Sequence, residues 1–247
     1  MSALLEVEGL TKRFAGLVAV KEVSFTLAAG EITGILGPNG AGKTTLFNLL
    51  TGFLPSDRGA VNFDGRSILK ERPHQIVNRG LARTFQLCRP FHGLSVRENV
   101  EIGCLAPRAR QEGDWRRQAS VILDEVGLAE KADQPVEVLP YGDLRRLEFA
   151  RALATRPKLL LLDEPFAGLG AGEIGGIVHL IRRLHDKEGL SILIIEHRLR
   201  EFMQLVKRVI AMDFGEIIAV GAPAQIVRHP RVIESYIGKN EAELGIA

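Results

Sequence analysis

The pattern of apolar and polar positions divides the chain into three parts, of which the first alternates strands and turns. Residues 20–27 and 32–36 are strand-like runs, and residues 42–52 place Leu46, Leu49 and Leu50 on one helical face. Asp64-Gly65 lies between two apolar stretches and predicts a tight hairpin turn. We therefore predict an antiparallel β subdomain added to an α/β core.

The middle part, residues 87–155, has the character of a helical subdomain. Ser95 and Glu98 have capping-box spacing ahead of an apolar run. Residues 116–126 and 144–154 show helical periodicity, and Gly127 is a plausible stop for the first of these helices.

Strand-like runs return in the last part, after Pro157. They cover residues 158–162, 190–195 and 208–212, and a helix-length segment, residues 173–187, separates the first two. Nearly continuous apolar strands that alternate with helices indicate a buried parallel sheet. We therefore predict one α/β domain over residues 1–247, with a core built from residues 1–86 and 156–247.

Composition and charge restrict the class of protein. The 247 residues are 46% hydrophobic and 25% charged, as in ordinary globular proteins. A formal net charge of +2 is too balanced for a dedicated nucleic-acid binder, so nucleic acid is not an expected partner. The start of the chain does not resemble a signal peptide, and the apolar runs are too short to span a bilayer. Cys88 and Cys104 lack metal-site spacing and are expected to be free thiols.

A glycine-rich loop between a predicted strand and a predicted helix carries the strongest chemical signal. It matches the phosphate-loop pattern in full, in the context that the pattern requires. Its glycines let backbone N–H groups face phosphate oxygens, its lysine places a charge on the β- and γ-phosphates, and its first threonine offers a hydroxyl to Mg²⁺. The predicted ATP contacts are Gly37, Pro38, Asn39, Gly40, Ala41, Gly42, Lys43, Thr44 and Thr45.

Four further polar residues follow predicted strands. Asp163 ends an apolar strand and can support Mg²⁺, and Glu164 could polarise the attacking water as general base, an effect worth about 10²–10⁴ in rate. His197 follows another apolar strand, where it could contact the γ-phosphate or orient the water. Gln86 ends the run at residues 81–85 and could reach Mg²⁺ or the water.

The segment from Leu139 to Leu153, LPYGDLRRLEFARAL, resembles the signature of ATP-binding cassette (ABC) ATPases. Five motifs also occur along the chain in the order that is typical of this family: the phosphate loop, Gln86, the signature, the Asp163-Glu164 pair and His197. The resemblance implies a P-loop (RecA-like) ATPase core and an adenine that stacks on Phe14. It further implies a head-to-tail dimer, in which each ATP lies between one phosphate loop and the partner's signature.

In that dimer Tyr141, Gly142 and Asp143 would contact the ATP held by the second ABC ATPase subunit. The resemblance is consistent with both a homodimer and a heterodimer. The resemblance narrows further over residues 80–86, 90–100, 195–197 and 229–238, which look like the ATPases of bacterial branched-chain (hydrophobic) amino acid uptake systems. Such a subunit works with integral membrane permeases, and indirectly with a solute-binding protein, at the cytoplasmic face of the inner membrane.

Other readings remain open on sequence alone. The lipopolysaccharide-export ATPase shares much of the pattern, so import and export are separated only by resemblance. A soluble ATP-driven switch on nucleic acid or ribosomes is a second alternative, although such proteins usually fuse two cassettes or insert long coiled coils. An ATP-binding regulator with impaired hydrolysis is a third.

Two departures from the family pattern motivate the third alternative. Pro140, expected in the first helical turn, replaces a serine, and Gly170 closes a loop where an aspartate is usual. The arginine-rich segment 106–117 is expected to be a solvated loop. A sharper hypothesis is that, with Phe91 and Leu94, it borders the groove that receives a permease helix.

Overall fold

The computed structural model describes residues 3–110 and 113–236, so the predicted motif residues from 237 onward lie outside the described part. Its strands, in chain order, are β1 (Ala3–Phe14), β2 (Leu17–Ala28), β3 (Ile32–Leu36), β4 (Arg58–Phe63), β5 (Arg66–Ser67), β6 (Leu81–Arg83), β7 (Leu159–Asp163), β8 (Ser191–Ile195), β9 (Arg208–Asp213) and β10 (Glu216–Gly221). Its α-helices are α1 (Lys43–Leu50), α2 (Pro73–Arg79), α3 (Val96–Cys104), α4 (Pro107–Arg110), α5 (Trp115–Glu125), α6 (Tyr141–Leu153), α7 (Ala171–Glu188), α8 (Leu199–Leu205), α9 (Pro223–Ile226) and α10 (Pro230–Tyr236).

The predicted antiparallel unit is a sheet with strand order β2-β1-β4-β5. Asp64 and Gly65 both have positive φ, at 50° and 72°, which makes the predicted hairpin turn between β4 and β5. The long strand β1 was not predicted. Its pairing with β2 contains several register shifts, and these interrupt the alternation of apolar and polar residues that identifies a strand.

The second sheet has strand order β10-β9-β3-β8-β7-β6, in which every neighbouring pair is parallel except β10 with β9. The predicted α/β fold with a buried parallel sheet is therefore confirmed. Each of the four motifs lies at the carboxyl end of a strand. The phosphate loop follows β3, Gln86 follows β6, the Asp163-Glu164 pair ends β7, and His197 follows β8. Because parallel strands end at one edge of a sheet, the fold brings these motifs to that edge.

Both faces of the parallel sheet are covered, which explains its continuous apolar strands. Leu160 and Leu162 of β7 pack into a core with helices α3, α5, α6, α7 and α8. Leu159 and Leu161 point the other way, into a core shared with α1 and the antiparallel sheet. Within residues 3–110 and 113–236, no helix combines the length and the apolar character needed to cross a bilayer.

Helices occupy most of the chain between β6 and β7, as predicted, although the boundaries at residues 87 and 155 stay a prediction. The Ser95–Glu98 capping box is present, and Gly127, with φ of 75°, follows the end of α5. Helix α6 begins at Tyr141, three residues before the predicted start, because the Pro140 carbonyl already accepts helical hydrogen bonds. Pro140 is thus the N-cap and not, as predicted, part of the first turn.

Candidate active site

The phosphate loop joins the end of β3 to the start of α1, and its glycines are required by close backbone contacts. Gly42 caps α1 with φ of 94°, and a Cβ at this position would lie 2.2 Å from the Ala19 carbonyl oxygen. A Cβ on Gly37 would lie 2.3 Å from the carbonyl oxygen of Met212. Any side chain at either position would displace neighbouring backbone, so the loop holds its curl only with glycine.

Lys43 places its positive charge inside this loop. Its side chain is buried, and Nζ donates to the carbonyl oxygens of Gly37 at 2.6 Å and Pro38 at 2.9 Å. The first turn of α1 contains no acidic residue. The N–H groups at the start of α1 and the lysine charge together form a site suited to phosphate.

A cavity of about 420 Å³ lies over the phosphate loop and brings several predicted residues together. Its lining consists of Phe14, Leu17, Val18, Ala19, Asn39, Gly40, Ala41, Gly42, Lys43, Thr44, Thr45, Glu164 and Phe214. Phe14 is 43% exposed and therefore available to stack on a planar ligand. The predicted adenine contact and the phosphate loop thus share one cavity.

Phe214 in the same cavity was missed from the sequence. It is 85% exposed at the turn between β9 and β10, and its φ of 44° is unusual for a bulky residue. An aromatic residue directly before Gly215 in a hairpin turn was the available signal. The exposed ring and the unusual φ make Phe214 a candidate contact for a planar ligand in this cavity.

Glu164 forms the centre of a polar cluster beyond β7. Its carboxylate Oε2 accepts a hydrogen bond from Gln86 Nε2 at 2.8 Å and lies 3.7 Å from Nδ1 of His197. Glu164 also has a positive φ of 48°, a conformation that strains a residue with a side chain. The three residues predicted to act in catalysis therefore meet in space.

Asp163 is buried at the end of β7 and pairs with a residue that the sequence did not single out. Arg83 Nη2 donates to its Oδ2 at 2.6 Å, while Nη1 of the same guanidinium donates to Asn48 Oδ1 at 2.7 Å. Asp163, Thr44 and Gln86 line a second cavity, of about 680 Å³. A carboxylate, a hydroxyl and an amide oxygen are hard donors of the kind that Mg²⁺ prefers, so these residues fit the ion.

Protein ligands alone do not form a dense metal site here. Over the described part of the chain, no group of three or more His, Cys, Asp or Glu side chains could hold a metal ion. Magnesium in such a site is bound through one or two protein groups together with phosphate oxygens and water. The geometry therefore fits a magnesium ion that arrives with a nucleotide.

Glu196 organises the ends of β7 and β8, a role that the sequence did not indicate. Its fully buried carboxylate accepts backbone N–H groups from Phe166 at 2.7 Å, His197 at 2.9 Å and Arg198 at 3.1 Å. Burial raises the pKa of Glu196, and these three N–H groups oppose the rise. The carboxylate thus fixes the two turns that carry Glu164 and His197.

The signature residues lie away from the phosphate loop of their own chain. The Tyr141 hydroxyl donates to the Ala167 carbonyl oxygen at 3.2 Å, and Asp143 pairs with Lys131. A Cβ on Gly142 would lie 2.3 Å from Oε1 of Glu173. None of the three signature residues lines the cavity above the phosphate loop.

Comparison with protein families decides the assignment of the fold. A model of the ABC transporter family matches residues 20–167, more than half of the chain. The chain belongs to the ABC transporter family. A second model, described as branched-chain amino acid ATP-binding cassette transporter, matches residues 216–242.

Relatives of this ABC protein cover almost its full length. The high-affinity branched-chain amino acid transport ATP-binding proteins BraF of Pseudomonas aeruginosa and LivG of Escherichia coli are each 38% identical to it. Both alignments cover 96% of this chain and 98% of the relative. A probable LivG from Archaeoglobus fulgidus is 35% identical over 98% of each chain.

Solved ABC structures agree with the fold. The ADP conformation of MJ1267, an ATP-binding cassette of an ABC transporter, has a TM-score of 0.87 and 33% identity, covering 97% of this chain and 100% of that one. The cassette cbiO1 of Clostridium perfringens has a TM-score of 0.83 and 27% identity, covering 100% of this chain and 99% of that one. Like other members of the family, the chain is an ATPase whose cofactors are ATP and Mg²⁺.

An apolar groove adjoins the candidate active site of this ABC ATPase. It is part of the 680 Å³ cavity itself, and the exposed Phe53, Phe85 and Phe91 contribute to its lining. Of the residues predicted to border a permease groove, Phe91 is part of this lining, whereas Leu94, Arg108, Arg110, Arg116 and Arg117 are not. The Arg108 guanidinium instead donates to the Arg156 carbonyl oxygen at 2.8 Å. Residues 111 and 112 of that segment lie outside the described part.

Proposed function

We propose that this chain is the ATP-hydrolysing subunit that energises a membrane importer for branched-chain or other hydrophobic amino acids. The observation that carries the proposal is the 38% identity, over 96% of the chain, with ATP-binding proteins of high-affinity branched-chain amino acid transport. The separate family match at residues 216–242 supports the same branch, because it lies outside the general ABC match.

In this proposal the cavity over the phosphate loop holds ATP. Phe14 stacks on adenine, and the backbone of residues 37–45, through the N–H groups of its non-proline residues, surrounds the phosphates together with the Lys43 ammonium. Thr44, Gln86 and Asp163 hold Mg²⁺ together with the phosphate oxygens. When bound, the ion neutralises charge that develops on the transferred phosphoryl group. The support is that Phe14, residues 39–45 and Glu164 line one cavity, whereas Thr44, Gln86 and Asp163 line the adjoining one.

Glu164 is proposed to be the general base that takes a proton from the attacking water. Its hydrogen bond with Gln86 and its 3.7 Å approach to His197 place two polar groups where they orient that water. The buried Glu196 holds the backbone on both sides of this cluster, so the carboxylate of Glu164 is directed by two fixed turns.

The signature residues Tyr141, Gly142 and Asp143 are proposed to contact the ATP of a second ABC subunit, identical or different. Their separation from the cavity of their own chain supports a role toward a partner. ATP then joins the two subunits, and its hydrolysis releases them. Such a bistable pair converts a change at the γ-phosphate into motion of whole subunits.

Integral membrane permeases are the proposed partners at the apolar groove that Phe53, Phe85 and Phe91 line. An exposed apolar surface beside the active site suits a helix from another subunit. The chain is then a peripheral protein at the cytoplasmic face of the inner membrane, and it meets the solute-binding protein only through the permease. Residues 87–155 would act as the helical subdomain that carries the signature and contributes Phe91 to this groove.

Purification from native membranes tests the proposal. Solubilised in mild detergent, the chain should copurify with permease subunits of an amino acid importer. Copurification with a lipopolysaccharide exporter would assign the export function instead. A tight, salt-sensitive association with DNA or RNA that ignores nucleotide would favour the soluble switch.

A further inference from the structure

Arg145 lies on α6, one turn beyond Tyr141, and its side chain leaves the helix to reach two loops of the active site. The side chain is 1% exposed. We propose that Arg145 is a positioning residue that sets Gln86 and Glu164 for hydrolysis and links them to the signature helix. This inference rests on the roles proposed above for Gln86 and Glu164.

The first loop that Arg145 holds is the one that carries Gln86. Nη1 donates to the carbonyl oxygen of Phe85 at 2.9 Å, and Nη2 donates to the carbonyl oxygen of Gln86 at 2.6 Å. The carboxylate of Glu148, one turn along α6, accepts the N–H of Phe85. The residue before Gln86 is therefore fixed at both its N–H and its carbonyl group. With that backbone fixed, the Gln86 side chain donates to Glu164.

The second loop is the one that follows Glu164. Arg145 Nη2 donates to the Tyr141 hydroxyl at 2.8 Å, and that hydroxyl donates to the carbonyl oxygen of Ala167 at 3.2 Å. Nη2 itself lies 3.4 Å from the same carbonyl oxygen. One guanidinium thus connects the signature tyrosine with the chain on both sides of the Gln86–Glu164 hydrogen bond.

Only arginine can make this set of hydrogen bonds to the two loops. The rigid fork of a guanidinium reaches several oxygens in fixed directions, whereas a lysine offers one compact charge. Glu148 Oε2 lies 3.2 Å from Nη1 and compensates the buried charge. Burial raises the pKa of Glu148, while the Phe85 N–H and the Arg145 guanidinium oppose the rise.

A consequence for the reaction follows from the position of α6. This helix also carries the signature, so any displacement of α6 is transmitted by Arg145 to the backbone at Gln86 and at Ala167. Binding of a partner's nucleotide at the signature would therefore change the setting of Glu164. The neighbouring Arg146 provides a matched control, because its Nη1 donates to the carbonyl oxygen of Val126 at 2.9 Å, within the helical part and not at either loop of the active site.

Steady-state hydrolysis by full-length variants tests the inference through a double-mutant cycle. Arg145→Met should lower kcat on the order of 10- to 100-fold, as small displacements of catalytic groups do, and leave KM for ATP within about twofold. Arg146→Met should leave both constants near those of the wild type. In a Gln86→Ala background, Arg145→Met should lower kcat by a clearly smaller factor, because its route through Gln86 is removed and only the route through Ala167 remains.

Equal losses of kcat from Arg145→Met with and without Gln86 would overturn the inference, as would an equal loss from Arg146→Met. If Arg145→Met does not fold, Arg145→Lys replaces it in the cycle. Lysine keeps the charge beside Glu148 but not the fork, so the inference predicts a fall in kcat here too, and an unchanged kcat would contradict it. Glu164→Gln, assayed in parallel, separates the two proposals. If it retains turnover, the proposed general base is wrong, whereas additivity at Arg145 leaves that role intact.

Discussion

Gln86 and Glu164 follow the ends of the neighbouring strands β6 and β7. A hydrogen bond of 2.8 Å from Gln86 Nε2 to Glu164 Oε2 joins them. The two residues are 78 positions apart in the chain, and the entire helical part separates them. The bond exists because β6 and β7 are adjacent and parallel, so both chains leave the sheet at the same edge. A residue that lines the groove is thereby in direct contact with the proposed catalytic carboxylate.

Replacement of Glu164 by glutamine should separate ATP binding from hydrolysis. Glutamine keeps the shape of the side chain but cannot accept the proton of the attacking water. We expect ATP affinity within a few-fold of the wild type, turnover reduced by about 10² or more, and an ATP-held dimer that accumulates. Turnover assays and size-exclusion chromatography with ATP measure these effects. The exposed Glu8, replaced in the same way, serves as control. Wild-type turnover in Glu164→Gln would remove the residue from this role.

Phe214→Ala should weaken nucleotide binding, because its ring lines the same cavity as Phe14 and the phosphate loop. Contacts between an aromatic side chain and a base are worth about 1–3 kcal/mol, which corresponds to a rise in Kd for ATP of roughly 5- to 150-fold. Fluorescence titration with a nucleotide analogue measures it. Val220→Ala, at an exposed position of β10 outside the cavity, should leave Kd unchanged. Equal affinity of the Phe214 and Val220 variants would exclude the ring from the site.

Pro140→Ser should strengthen the start of the signature helix. Pro140 is the N-cap of α6 and offers no side-chain hydrogen bond, so a serine hydroxyl adds a cap worth about 1 kcal/mol of stability. The same hydroxyl can donate to a partner's γ-phosphate, and we expect ATP-dependent dimerisation to tighten on the order of 10-fold. Pro135→Ser, at the cap of a short turn before the signature, is the matched control. Unchanged dimerisation would show that position 140 does not face nucleotide.

Gly142→Asp should abolish that dimerisation by placing a carboxylate against phosphate. A side chain at position 142 also meets Glu173, whose Oε1 lies 2.3 Å from the position of the added Cβ. The variant is therefore compared with Gly142→Asp in a Glu173→Ala background, which relieves this local clash. A dimer as tight as the wild type in either background would mean that the signature does not contact nucleotide.

The two cysteines should react slowly with iodoacetamide in the folded chain. Burial raises the pKa of Cys88 to about 12 and that of Cys104 to about 11, from 9.0 for an ordinary thiol. A raised pKa keeps the thiol protonated, so at pH 8.5 the reactive thiolate is depleted roughly 80-fold at Cys104 and roughly 800-fold at Cys88. Addition of denaturant should restore rapid labelling, as followed by mass spectrometry. Equal rates with and without denaturant would contradict the buried, protonated state.

The same shift has a consequence for stability at alkaline pH. The folded chain favours the protonated form of both thiols. Their contribution to the free energy of unfolding is therefore complete below the pKa of the unfolded thiol. It decreases as the pH rises from about 9 toward the folded values, since the unfolded state then loses its protons first. The Cys88→Ser variant should lose part of that alkaline dependence.

Local pattern predicted the parts of the fold that obey one period or one turn rule. The Asp64-Gly65 hairpin, the Ser95 cap and the buried strand β3 were all correct, since each depends on neighbouring residues alone. Strand β1 was not predicted, because its irregular register with β2 interrupts the alternation of apolar and polar residues. The start of α6 was placed late because its first turn, at Tyr141, is polar and gives no helical period.

The candidate site was predictable where a motif lies in one segment, as in the phosphate loop. Its supporting residues were not. Arg83 was passed over within a strand, yet it pairs with Asp163, which lies 80 positions later. Glu196 and Arg145 act through backbone groups of distant loops, and no local spacing encodes such contacts. These are tertiary relationships that only the packed sheet and helices create.

Uptake by the copurified complex is the most direct test of the central claim. The complex is reconstituted in proteoliposomes with ATP enclosed and its solute-binding protein outside, and labelled leucine is followed. Leucine should accumulate with the wild-type chain. It should not accumulate with Glu164→Gln, which lacks the proposed base, or with Lys43→Ala, which lacks phosphate charge compensation. Leucine uptake that continues with Glu164→Gln, or ATP turnover by the wild-type complex without uptake of leucine or any other hydrophobic amino acid, would contradict the account.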